Sequence, residues 1–277
     1  MTTFRRLKER FKSLGETKLW FIVAMLGTMQ QSLLNKKLVL IWRDKDGDWI
    51  NKREGFTIYS PVLNVDSMTD IQNRVDDLWL HQYKIQDSDI IFDIGAGIGD
   101  DLIYLSKLCS GSGKVYAIEA NPITYRCLRK TITGSKLKNV QPILIACTDK
   151  VCTIKISKSR ENHLGNNVFS TTSSSDFEEV QGMPLDLMIE MEKIKKVNFL
   201  KMNIEGAELI ALKGATKLMR SGASFVVSCH DFKYHEGQGD FFKTFDDVKK
   251  LLSTNNLSTY SRDHDQRREV PYYLYAK

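Results

Sequence analysis

A chain of 277 residues, 42% hydrophobic and 27% charged, has the makeup of a globular protein with room for one main domain and an appendage. Its formal charge of +6 is too modest to call for a nucleic-acid partner, and residues 1–18 hold six basic side chains against two acidic ones. Five cysteines, odd in number and without a C-x-x-C pair, exclude a disulfide framework and point to a reducing, cytoplasmic setting. In chain order, residues 4–35 read as helix. Within them Leu19 to Met29 is apolar but shorter than the ~20 residues a membrane span needs. This arm reads as a solvated start to a helix, with peripheral contact against acidic lipid through residues 1–35 as the alternative. Strands follow at 38–41 and 56–59, with Asp44-Lys45-Asp46-Gly47 as turn chemistry between them. Residues 68–83 carry Ile71, Val75, Leu78 and Trp79 at helical spacing. The chain divides here, into an appendage at 1–67 and a main domain at 68–277.

From Ile90 onward, strands alternate with helices. Strands are expected at 90–94, 114–120, 143–147, 199–204 and 225–229, with 151–156 as a further antiparallel one. Helices are expected after Gly99, from Pro122, over 207–219 and over 245–252. Strands at 257–260 and 271–276 close the chain with no helix between them. This order predicts an α/β domain: a mostly parallel seven-stranded sheet with a reversed C-terminal strand and helices on both faces, which resembles the class I methyltransferase (Rossmann-like) fold. Residues 157–182 break the rhythm with a long polar loop containing His163 and the run STTSSS, expected to fold over the site.

The strongest motif is Asp93-Ile94-Gly95-Ala96-Gly97-Ile98-Gly99, placed where a strand ends and a helix begins. Glycines there let the backbone turn sharply and approach a ligand, and the helix start offers free amides. The spacing is G-x-G-x-G, not the G-x-G-x-x-G of nicotinamide and flavin enzymes. Glu119 ends the next strand, where a carboxylate can accept hydrogen bonds from ribose hydroxyls.

A third element is Lys201-Met202-Asn203-Ile204-Glu205-Gly206-Ala207-Glu208. Together with the glycine loop, Glu119-Ala120-Asn121-Pro122 and Leu212-Lys213-Gly214-Ala215, it resembles the FkbM family of methyltransferases over roughly residues 70–235. The resemblance implies S-adenosylmethionine as cofactor and O-methylation of a hydroxyl on a sugar or other small metabolite. It assigns Asp93, Gly95, Ala96, Gly97, Gly99, Glu119, Ala120 and Asn203 to the cofactor. Two positions depart from the family pattern. Asn203 replaces an Asp and cannot act as a base, and Ala120 replaces a Pro. A non-catalytic nucleoside-cofactor-binding module of this fold is therefore one alternative, and an NAD-dependent oxidoreductase a second.

Candidate catalytic residues are Glu205, just past a strand end, and His230, at the end of the 225–229 strand. Either suits proton removal from an acceptor. No metal and no nucleic acid are expected, and the expected partner is a small-molecule or glycan acceptor.

Overall fold

The computed structural model describes residues 19–157 and 177–277. Helix α1 (Trp20–Asn35) leads into three strands, β1 (Leu40–Arg43), β2 (Trp49–Arg53) and β3 (Phe56–Ser60), paired antiparallel in that order. The sequence pattern expects only two strands in this stretch. β2 escapes it because Asn51, Lys52 and Arg53 read as loop, yet Asn51 is buried and its amide donates to the Asp66 carbonyl at 3.0 Å. The Asp44–Gly47 turn therefore joins β1 to β2. Helix α2 (Met68–Arg74) starts from a capping box between Ser67 and Asp70. It passes into one π turn, Val75–Trp79, so the helix expected over 68–83 stops short.

The main domain continues with β4 (Ile90–Ile94), α3 (Leu102–Leu108), β5 (Lys114–Glu119), α4 (Pro122–Gly134) and β6 (Val140–Leu144). α4 begins where Asn121 Oδ1 accepts from the amides of Ile123 (2.9 Å) and Thr124 (3.1 Å), with Pro122 in its first turn. The strand expected at 143–147 divides in two. β6 pairs with β5, while β7 (Ala146–Cys147) leaves for a second sheet. There β8 (Cys152–Ser157) lies antiparallel to β9 (Phe177–Met183), which runs parallel to β7. Residues 177–182, expected as loop, are thus the partner that 151–156 needed. The rest of that loop, with His163, lies outside the described residues.

Next come α5 (Leu185–Met191), β10 (Phe199–Met202), α6 (Glu208–Lys213), α7 (Thr216–Met219), β11 (Ser224–Ser228), α8 (Asp231–His235), α9 (Phe245–Thr254), β12 (Thr259–Ser261) and β13 (Tyr273–Ala276). The helix expected over 207–219 breaks at Gly214, where a Cβ would meet the Thr148 carbonyl oxygen at 2.1 Å. The sequence pattern does not anticipate α8.

The main sheet runs in the order β12-β13-β11-β10-β4-β5-β6. β6, β5, β4, β10 and β11 are parallel, and β13 is reversed against β11. This is the expected seven-stranded arrangement. Both faces are covered. In β4, Ile91 packs with Leu102, Leu105 and Leu128 on one side, and Phe92 and Ile94 pack with Leu212, Val248 and Leu252 on the other. β4 has β5 on one flank and β10 on the other, so the strand order reverses there. Open α/β sheets bind ligands in the crevice at that point, beyond the strand C-termini.

The small N-terminal sheet docks on α4. The Tyr59 amide donates to Thr131 Oγ1 (3.0 Å) and the Thr57 amide to Ser135 Oγ (2.9 Å). Asp48 takes two hydrogen bonds from Arg126 (2.6 and 3.1 Å), and Lys130 Nζ bridges Asp44, Asp46 and Asp48 at 2.6–2.7 Å. Asp44 and Asp46, read as turn formers, thus also tie the small sheet to α4.

Candidate active site

Between β4 and α3 the chain turns through three glycines, all with positive φ: 74° at Gly95, 58° at Gly97 and 82° at Gly99. Their surroundings differ. A Cβ at Gly95 would strike the Asn203 carbonyl oxygen at 2.0 Å, because the ends of β4 and β10 nearly touch. A Cβ at Gly99 would meet Leu128 at 2.7 Å, so this residue sets the approach of the loop to α4. At Gly97 nothing lies within 4 Å, and the residue lines an open cleft.

That cleft, about 290 Å³, is bounded by Ile118, Ile145, Ile156 and Ile204 and by Gly95, Gly97, Glu119, Ala120, Asn203 and Glu205. Glu119 ties the loop to the second strand end. Its Oε2 accepts from the Gly97 amide (2.9 Å) and its Oε1 from the Asn121 amide (2.8 Å). Burial pushes its pKa up to about 7 against the pull of those amides. The remaining lone pairs are available to hydroxyl donors in the cleft.

Asp93, Ala96 and Gly99, assigned to the cofactor from the sequence, do not line this cleft. Asp93 is sealed beneath the loop, with its Oδ1 2.7 Å from Lys201 Nζ. Lys201 Nζ also lies 3.3 Å from the Gly95 carbonyl and 4.8 Å from the Trp79 ring centroid. Burial disfavours the Lys201 charge, but Asp93, with Asp101 and Asp100 behind it, raises its pKa and keeps it an ammonium. Asp93 therefore shapes the glycine loop from below. Ala96 and Gly99 serve packing.

Glu205 follows β10 in the left-handed region, with φ 59°, and Gly206 follows at 100°. A Cβ at Gly206 would strike Phe241 at 2.6 Å, so the turn that presents Glu205 requires this glycine. The Glu205 carboxylate pairs with Lys233 Nζ and lies 3.4 Å from His230 Nε2. His230 Nδ1 lies 2.9 Å from Glu208 Oε1, which also accepts from the Gly206 amide at 3.1 Å. Burial disfavours a charged His230, yet Glu208 and Glu205 outweigh it and raise its pKa to about 9. For Glu205, burial is likewise outweighed, by His230 and Lys233, and its pKa is lowered.

These charges bear on one expectation. His230 is an imidazolium near neutral pH and is 3% exposed, so it is not a ready proton acceptor and does not line the cleft. Its Nε2 faces the Glu205 carboxylate instead. The sequence reading left Lys233 and Glu208 out of the site. Lys233 stands three residues after His230, a helical spacing that becomes visible only once α8 is known. Neighbouring Asp231 accepts from the amides of Thr244 (3.1 Å) and Phe245 (3.0 Å) and so holds the start of α9.

A seven-stranded sheet in this order, with a glycine loop and a strand-terminal acid at its point of reversal, defines a class I methyltransferase fold. The family described as Methyltransferase FkbM domain matches residues 93–266, and the chain belongs to that family. It is similar to the hexuronic acid methyltransferase AglP of Haloferax volcanii, 28% identical over 214 residues that cover 76% of this chain and 82% of that one. Among solved structures, a methyltransferase FkbM from Methylobacillus flagellatus is 21% identical with TM-score 0.48. The match covers 71% of this chain but only 45% of that protein. An O-methyltransferase from Bacillus cereus in complex with SAH is 15% identical with TM-score 0.45, covering 76% of this chain and 81% of that one.

Proposed function

We propose that this methyltransferase takes S-adenosylmethionine as methyl donor and a sugar as acceptor. The observation that carries the reading is the convergence of Gly97, Glu119 and Glu205 on one cleft. The residues present fit the donor. Gly97 leaves its side open to a ligand, Glu119 keeps acceptor capacity for ribose hydroxyls, and isoleucines offer apolar walls to a nucleoside. Gly95, Gly97, Glu119, Ala120 and Asn203 would hold it, and when bound it supplies an electrophilic methyl carbon for in-line displacement. Asn203 supplies polar contact without charge. The hexuronic acid named for the Haloferax relative supports a glycan acceptor.

Two acceptor atoms are open to a uronic acid. For a hydroxyl, Glu205 is the carboxylate placed to take the proton, with His230 and Lys233 holding its orientation. Those same cations lower its pKa and weaken it as a base. That observation favours a second reading, in which the acceptor is itself a carboxylate, ionised near neutral pH and in no need of a base.

Binding and product chemistry test the proposal together. S-adenosylhomocysteine should raise the melting temperature while NAD should not. Methyl transfer should appear with hexuronic acids or other sugars in an acceptor panel. A methyl ether survives mild alkali, whereas a methyl ester does not, which separates the two acceptors. No stabilisation by S-adenosylhomocysteine would overturn the donor, and no transfer to any sugar would overturn the acceptor class.

A further inference from the structure

Helix α1 is turned inside out. Three of its polar side chains face the protein: Thr28 Oγ1 accepts from the Ile41 amide (2.9 Å), Ser32 Oγ from the Val39 amide (3.0 Å), and Gln31 Oε1 from Arg53 Nη2 (3.0 Å). The first two close the outer edge of the small sheet, where β1 would otherwise leave ladder groups unpaired. Within the helix only Val23 and Ala24 are buried. Trp20 packs edge-on against Trp49, but the other large apolar side chains point away from the fold. Phe21, Met25, Met29 and Leu33, spaced four apart, are 55%, 57%, 56% and 76% exposed, and Ile22 and Leu26 widen the stripe. A helix on the surface of a protein surrounded by water has the opposite arrangement, apolar inward and polar outward. A continuous apolar face of this kind marks a contact with something other than water.

Charge selects the contact. The nineteen residues before α1 hold Arg5, Arg6, Lys8, Arg10, Lys12 and Lys18 against Glu9 and Glu16, and Lys36 and Lys37, the latter paired with Glu54 at 2.9 Å, follow its last residue. The helix itself has no charged residue. An apolar face between basic flanks matches an acidic lipid surface, where headgroup phosphates meet acyl chains. A two-fold contact between copies of the chain would instead bring the same cations together. The sixteen residues of α1 rise about 24 Å, less than the ~30 Å of a bilayer core. No described helix is long and apolar enough to cross a membrane. We propose that α1 is an in-plane anchor: its outward face sits at the headgroup–acyl boundary of an acidic membrane. The proposal is independent of the methyl donor and acceptor.

Vesicle flotation of the full chain tests it. With vesicles containing phosphatidylserine the bound fraction should be at least about fivefold higher than with phosphatidylcholine alone, and high salt should remove the difference. The double substitution Met25→Glu, Met29→Glu should lower binding about tenfold. Circular dichroism and melting temperature should stay unchanged, because both side chains face outward. Sedimentation of both proteins completes the experiment. Absence of flotation with acidic vesicles, or equal flotation of the variant, would overturn the proposal. So would a wild-type dimer that the variant converts to monomer while neither binds vesicles, which would make a second copy the occupant.

Discussion

The carboxylate of Asp93 and the ammonium of Lys201 stand 2.7 Å apart beneath the glycine loop, both closed to solvent. Burial pushes the pKa of Asp93 up and Lys201 pulls against it, so removing one member leaves a buried group without its partner, which costs about 3–5 kcal/mol, whereas replacing both costs far less. Lys201→Met should therefore destabilise the fold by several kcal/mol in urea unfolding, and Lys201→Met combined with Asp93→Asn should recover part of the loss. A single-variant loss below about 1 kcal/mol would show that the pair contributes little.

His230 gives stability a pH dependence of known sign. It holds its proton more tightly folded, with pKa about 9, than in an unfolded chain, where imidazole titrates near 6.5. Its contribution is present in full below pH about 6.5 and is lost as pH rises through about 9, on the order of 3 kcal/mol in all. Unfolding free energy of the wild type should fall across that window. His230→Gln should be less stable at pH about 6 and should lack the slope. An identical slope in both proteins would assign the titration to another group.

Glu119 should make donor-site binding pH-dependent. Its pKa of about 7 leaves it half protonated near neutrality, and only the ionised form offers its full acceptor capacity to ribose hydroxyls. Affinity for S-adenosylhomocysteine should rise about tenfold from pH about 6 to about 8, then level off. Calorimetry should give Glu119→Gln a weaker and flat profile. Gly97→Val should also weaken binding, since its side chain would enter the cleft from a backbone at positive φ. Wild-type affinity in both variants would remove this loop and acid from the donor site.

Glu205→Gln separates the two acceptors kinetically. With a hydroxyl acceptor, loss of the base should lower kcat by about a hundredfold or more while S-adenosylhomocysteine affinity changes little. With a carboxylate acceptor, kcat should fall only modestly. Lys233→Met raises the basicity of Glu205 by removing a cation, so the acidic limb of the hydroxyl reaction should move to higher pH. A joint loss of turnover and cofactor affinity in Glu205→Gln would place Glu205 against the cofactor instead.

Much of this protein could be read in advance because the relevant signals are local. Glycine spacing, the acid ending the second strand and the Lys201–Glu208 run occupy contiguous residues. The strand–helix alternation that builds the main sheet follows directly from hydrophobic periodicity. Long-range pairing decided the rest. β9 becomes a strand because β8 and β7 offer it ladder partners, and α1 turns its polar side toward β1 because that edge needs hydrogen bonds. Asp93 and Gly97 sit four residues apart in one motif, yet Lys201, more than a hundred residues away, holds the first beneath the loop while the second opens on the cleft. The charge on His230 is likewise set by Glu205 and Glu208, brought against it from the turn and helix that follow β10. Residue type and spacing determined the fold class and the place of the site. Which side chains reach the cleft, and with what charge, depended on burial and on partners distant in the chain, because desolvation and Coulomb interactions act through space and not along the sequence.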